Sequence, residues 1–130
     1  MIYGIGTDIV EVSRLESMLA RYGNRLASRI LSKQESDELP GHPHPARFIA
    51  KRFAAKEAFA KAIGTGLRHP VSLQGISVAH DGLGRPVLHF GQALQHYLGQ
   101  LGIVSHHLSL SDERNMVVAF VVLENIPERP

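Results

Sequence analysis

The 130 residues contain no cysteine and no tryptophan, and aromatic side chains make up only 6% of them. Without cysteine there is no disulfide framework, no thiolate nucleophile and no zinc-thiolate centre, and a reducing compartment is permitted. The few aromatics are not interleaved with the basic residues, which argues against a stacking surface for nucleic acid. Long apolar runs are also missing: the longest, Met116 to Leu123, has eight residues, against about 20 for a helix that spans a bilayer. The opening Met1-Ile2-Tyr3-Gly4-Ile5-Gly6 lacks the basic stretch and extended apolar core of a signal peptide. A cytoplasmic protein that engages neither membrane nor nucleic acid is expected. What is present is 44% hydrophobic residues, enough at this length for one domain, 1–130, with a modest core.

The net charge of +2 hides an asymmetry: residues 1–61 hold ten Lys/Arg against seven Asp/Glu, and the remainder four against five. Much of the excess falls in a helix expected from Ala46 to Ile63, where seven alanines lie between Pro45 and Gly64. At 100° per residue, Phe48, Ile49, Phe53, Phe59 and Ile63 cover one side. Ala50, Ala54, Ala58 and Ala62 lie on the other with Arg47, Lys51, Glu57 and Lys61, so that side is shallow and charged. Arg52 and Lys56 project within the aromatic sector. Glu57 and Lys61 have the spacing of an ordinary surface pair worth about 0.3–0.5 kcal/mol. Five cations (Arg47, Lys51, Arg52, Lys56, Lys61) around the single anion Glu57 point instead to an anionic ligand such as a phosphate.

Ile2 to Val10 reads as a strand with Gly4, Gly6, Asp8 and Val10 on one face. Two glycines leave that face open to close approach by the alanine side of the helix, which would bring Asp8 to Glu57; the alternative is that Asp8 caps a turn. Ser13 with Glu16 has the spacing of a capping box for a first amphipathic helix that stops at Gly23-Asn24. If the helix resumes, Arg14, Met18, Arg21 and Arg25 form a basic stripe around one methionine. Leu26, Ile30 and Leu31 suggest a further turn or two, and Ser32 with Glu35 a second capping box before a short helix ending at Pro40. Gly64-Thr65-Gly66 suits either an anion-binding loop or a plain C-cap. Residues 75–80 and 85–90 read as strands, Gln92 to Leu101 as a helix, and Ser105 to Ser111 with Met116 to Glu124 as a hairpin joined by Asp112-Glu113-Arg114-Asn115. The second hairpin strand is apolar enough for a central, doubly covered position. The histidine pairs 42/44 and 106/107 sit in a proline loop and across a strand, which disfavours a histidine metal site. The fold class is α+β with a largely antiparallel sheet packed with a long central helix.

Gly6-Thr7-Asp8, followed by Phe53-Ala54-Ala55-Lys56-Glu57-Ala58-Phe59-Ala60-Lys61, resembles the paired signature of holo-acyl-carrier-protein synthases, the short phosphopantetheinyl transferases. The likeness extends over nearly the whole chain. It implies the fold of that family and transfer of 4′-phosphopantetheine from coenzyme A to a serine of apo-acyl carrier protein, in fatty acid biosynthesis. It further implies Mg²⁺ held by Asp8 and Glu57, with Lys61 on the phosphates. The general base is open between a metal-bound water and a carboxylate such as Glu57. Arg52, Lys56, Gly64 and Gly66 fall where coenzyme A contacts are expected, and Arg14, Met18, Arg21 and Arg25 where the acidic carrier protein docks. Homotrimers with active sites between subunits are implied too. The chain departs from the pattern at Ser111-Asp112-Glu113-Arg114, where many relatives carry histidine. The rival class is a non-enzymatic basic module for an acidic protein or nucleic acid, in which Asp8 and Glu57 are structural.

Overall fold

A computed structural model describes residues 1–127. The elements run β1 (Ile2–Glu11), α1 (Val12–Tyr22), α2 (Asn24–Ile30), α3 (Lys33–Glu38), α4 (Pro45–Ile63), β2 (Ile76–His80), β3 (Pro86–Phe90), α5 (Gln92–Gln100), β4 (Ile103–Glu113) and β5 (Met116–Asn125). β5 lies between β1 and β4, antiparallel to both, and β2 and β3 form a separate hairpin. α4 packs across the inner face of the three-stranded sheet, and one core unites its apolar residues with those of both sheets and of α1, α2 and α5.

The period-two reading of β1 holds. Val10 and Gly6 are buried, Gly4 and Asp8 half-buried, and the alternate residues face outward. A Cβ added at Gly6 would overlap the Ala58 carbonyl oxygen, and one at Gly4 that of Ala62. Strand and helix backbones therefore touch, and the alanine side of α4 is filled by β1 instead of standing open. Buried residues occur all round α4, Arg52 and Lys56 among them.

β5 is central in its sheet but covered on one face only. Val117, Ala119, Val121 and Leu123 are fully buried, whereas Val118 and Phe120 are exposed beside Ile5 and Ile9 of β1. The second capping box forms as expected: Glu35 N–H donates to Ser32 Oγ and Ser32 N–H to Glu35 Oε1. The first does not. α1 begins two residues earlier than that box requires, and the Ser13 N–H is taken by Asn115 Oδ1 at 2.8 Å, from the β4–β5 turn.

The backbone contact predicts a sharp contrast between two glycines. Gly6→Ala forces β1 off α4 and should lower stability by about 1–3 kcal/mol or more. Gly99→Ala, in α5 with no heavy atom near the new Cβ, should stabilise by up to about 1 kcal/mol. Urea unfolding of the two variants measures both.

Candidate active site

β1 and α4 converge on three charged side chains. Asp8 follows Gly6 by two residues on the inner face of β1, and Glu57 and Lys61 are one helical turn apart on α4, flanking the Ala58 carbonyl that sits on Gly6. Lys61 Nζ donates to the Thr7 carbonyl at 2.9 Å and to Asp8 Oδ1 at 3.2 Å. Asp8 thus pairs with Lys61 and does not cap a turn. Glu57 has no such partner among the described contacts. Burial, then the charge of Asp8, push its pKa up, against a smaller pull from Lys61. A buried carboxylate whose proton affinity is raised by a second one beside it gains from a cation placed between the two. Among the described residues no group of three or more His, Cys, Asp or Glu assembles. An ion held here would draw on these two carboxylates, with water or substrate oxygens filling the rest. Such a donor set suits Mg²⁺, a hard cation that keeps several waters and is commonly bound by one or two carboxylates plus phosphate.

Asp8 and Glu57 open into a cleft of about 390 Å³ whose other walls include Arg14, Leu15 and Met18 of α1, Ile30 of α2, Phe53 and Met116. Met18 also lines an adjoining hollow with Tyr22, Arg25, Leu26 and Arg29. The carboxylate pair therefore lies at the foot of a surface that is basic at its rim and apolar at its centre.

The profile of the 4′-phosphopantetheinyl transferase superfamily matches residues 4–121. The chain belongs to that superfamily. It is 56% identical over 124 residues, 95% of this chain and 99% of the relative, to a holo-[acyl-carrier-protein] synthase of Nitrosospira multiformis. The crystal structure of the Neisseria meningitidis holo-[acyl-carrier-protein] synthase superposes with a TM-score of 0.93 at 50% identity, covering 96% of this chain and all of that one. The Bacillus anthracis synthase, solved in complex with CoA (3′,5′-ADP), superposes at 0.80 with 38% identity, covering 97% of this chain and 99% of that one. The α+β fold is that of these synthases.

Within this superfamily fold, the other residues expected at the site separate into groups. Arg14 and Met18 share the cleft with Asp8 and Glu57, and Arg25 rims the adjoining hollow. Arg21 lines neither; its guanidinium lies 5.3 Å from the Tyr22 ring centre. Arg29, which the stripe pattern did not single out, joins Arg25 one turn further along α2. Gly64 and Gly66 are a C-cap: both have positive φ, and their N–H groups bond to carbonyls of Ala60 and Lys61. Those donors are not free for an anion. Lys56 is corrected most sharply. It is fully buried, with Nζ 2.5 Å from Glu35 Oε1 and 2.7 Å from the Ile30 carbonyl, so its donors are withdrawn from any phosphate. Arg52 stacks on Phe48, 3.5 Å from the ring centre, with Glu35 and Glu38 nearby. It opens on a different pocket, walled by His42, Lys51, His80, Pro86 and Leu110, that shares no residue with the cleft.

The excess of cations on α4 is likewise resolved by distant anions. Arg47 and Lys51 both bind Asp112, and Arg47 also donates to the Arg114 carbonyl. Burial favours the neutral form of Asp112, but Lys51 and Arg47 outweigh it and hold the pKa below the ordinary carboxylate value. At the position where the sequence was expected to depart from the family pattern, this chain has an anion committed to two cations of its own.

The raised pKa of Glu57 fixes the sign of its effect on stability. The folded chain holds the proton more tightly than the unfolded chain, so stability falls as pH rises from the ordinary glutamate range through the raised value, and stays lower above it. Glu57→Gln should therefore melt above the wild type at neutral pH when no divalent cation is present. The difference should vanish in acid below about pH 4, where an ordinary glutamate is itself protonated. Calorimetric melting in a chelating buffer across that range checks both statements.

Proposed function

We propose that this chain transfers the 4′-phosphopantetheine group of coenzyme A to a serine of apo-acyl carrier protein, yielding holo-acyl carrier protein and adenosine 3′,5′-bisphosphate, in fatty acid biosynthesis. The observation that carries the reading is the cleft itself, which joins a carboxylate pair suited to Mg²⁺ to a basic, methionine-centred surface. The 56% identity to a named holo-[acyl-carrier-protein] synthase over almost the full length of both proteins supports the same chemistry. Coenzyme A as the donor is supported by the ligand in the Bacillus anthracis relative.

In the reaction the serine oxygen forms a bond to the β-phosphorus, the bond from that phosphorus to the bridging oxygen breaks, and adenosine 3′,5′-bisphosphate leaves with the negative charge. Asp8 and Glu57 would hold Mg²⁺, which when bound would screen the charge of the pyrophosphate. Lys61, half-exposed beside Asp8, turns its ammonium to the phosphates as charge gathers on them. The serine proton passes to a water in the cleft or to a carboxylate there such as Glu57. Arg14 and Arg25 meet the acidic surface of the carrier, Met18 gives an adaptable apolar contact between them, and Arg21 adds to the positive field.

The working form is a homotrimer of single-domain chains with sites between subunits. Two features support it. The outer sheet face exposes Ile5, Ile9, Val118 and Phe120, an apolar patch of the kind that marks an interface. Arg52 and the Asp8–Glu57 cleft belong to separate pockets of one chain, so a coenzyme A that touches both takes Arg52 from a neighbour. Among the described residues no helix is long and apolar enough to cross a membrane.

The test is the mass of an apo-carrier protein incubated with coenzyme A, Mg²⁺ and the enzyme. Wild type should add one phosphopantetheine, whereas Asp8→Ala and Glu57→Ala should lower turnover by at least about 100-fold while remaining folded. Near-normal turnover of either variant at low Mg²⁺ would reject the metal site. Charge reversal at Arg14 separates the two substrates: Arg14→Glu should weaken carrier binding about tenfold or more and flatten its salt dependence, with coenzyme A binding unchanged in calorimetric titration. Equal loss for both ligands would put α1 in the nucleotide site.

A further inference from the structure

Glu35 and Lys56 form the one ion pair among the described residues in which both side chains are completely buried, and the transfer reaction as described uses neither. Their bonds reach four elements. Glu35 Oε1 accepts from Lys56 Nζ at 2.5 Å and from Ser32 N–H at 3.0 Å, and Oε2 accepts from Val78 N–H of β2 at 2.8 Å. Lys56 Nζ gives a second hydrogen bond to the carbonyl of Ile30, the last residue of α2. Ile30 is itself a wall of the cleft that holds Asp8 and Glu57, and Lys56 immediately precedes Glu57 on α4.

We propose that Glu35 and Lys56 are positioning residues for the transfer reaction: their pair sets the roll of α4, and with it the place of Glu57 opposite Asp8, and ties that setting to the Ile30 wall on the carrier side. The proposal rests on the transferase reading of the cleft. Gly4 and Gly6 let α4 touch β1 but present no side chain to it; beside the apolar packing around α4 and the Lys61 bonds to Thr7 and Asp8, the Glu35–Lys56 pair is the completely buried directional contact that fixes its roll. A roll of about 20° would carry a carboxylate about 6 Å from the helix axis through about 2 Å. A misplacement of about 1 Å is enough to cost a factor of about 100 in rate. A buried ion pair adds little net stability over an apolar replacement of similar volume. Removing both charges together therefore tests placement while leaving the core filled.

The experiment compares the wild type with the double variant Glu35→Gln/Lys56→Met, using coenzyme A, Mg²⁺ and apo-carrier protein. Turnover is expressed per folded molecule, with the folded fraction taken from the amplitude of thermal unfolding. Expected are a fall in kcat of about 10- to 100-fold and a rise in the Mg²⁺ concentration giving half-maximal rate, since Glu57 no longer meets the cation squarely. A role confined to holding the fold would change neither quantity once unfolded molecules are discounted, and kcat per folded molecule within about twofold of wild type overturns the proposal. If the double variant does not unfold cooperatively, Lys56→Arg is read in the same way. Its planar head keeps the charge but cannot meet Glu35 and Ile30 as a compact ammonium does. Unchanged kcat and Mg²⁺ dependence in that variant overturn the proposal equally. A wild type that transfers nothing would instead reject the transferase reading itself.

Discussion

Everything at the site depends on the direct contact between the backbones of β1 and α4. Because Gly4 and Gly6 carry no Cβ, the carbonyls of Ala58 and Ala62 lie against the strand. The same closeness puts Glu57 and Lys61 beside Asp8, two positions further along β1. A residue with a side chain at Gly6 would hold the helix off and separate the carboxylates. The alanines of α4 are the other half of that fit. They let a helix with buried residues on every side lie on a strand, yet they leave the three charged side chains at its edge reachable by solvent and substrate.

Charge is distributed around α4 by a similar economy of placement. Its cations are met one by one by acids from elsewhere: Asp112 from the last hairpin, Glu35 and Glu38 from α3, and Asp8 from β1. The one carboxylate of α4, Glu57, has no such ion pair among the described residues, and burial, then the charge of Asp8, raise its pKa. The site is thus a local deficit of positive charge within a basic region, which suits a divalent cation better than it suits an anion alone. In the proposed reaction, phosphates would enter with the cation and beside Lys61.

Short-range patterns were legible in the sequence and long-range partners were not. The alternation of Gly4, Gly6, Asp8 and Val10, the alanine helix and the Ser32–Glu35 capping box depend on spacings of a few residues, and the structure repeats them. Glu35 was readable as a capping residue. Its second task, as the counter-ion of Lys56, needs α3 to fold back on α4, which no local spacing records. Five cations around one anion therefore looked like an unneutralised cluster when the sequence was read by itself. Ser13 failed as a cap for the same reason, since Asn115, 102 residues away, reaches its N–H first. Gly64-Thr65-Gly66 offered two readings because glycine permits the backbone of both, and the carbonyls at the end of α4 claimed the free donors.

The central claim is that Asp8 and Glu57 jointly hold the cation that screens the pyrophosphate. The most direct measurement is a crystal structure grown with coenzyme A and Mn²⁺, an octahedral oxygen-binding cation whose anomalous scattering marks its position. The account predicts one manganese peak between the carboxylates of Asp8 and Glu57, also bound by pyrophosphate oxygens, with Lys61 turned from Asp8 to the phosphates. Coenzyme A bound with manganese elsewhere, or with the Asp8–Lys61 pair intact and no metal at Glu57, would contradict it.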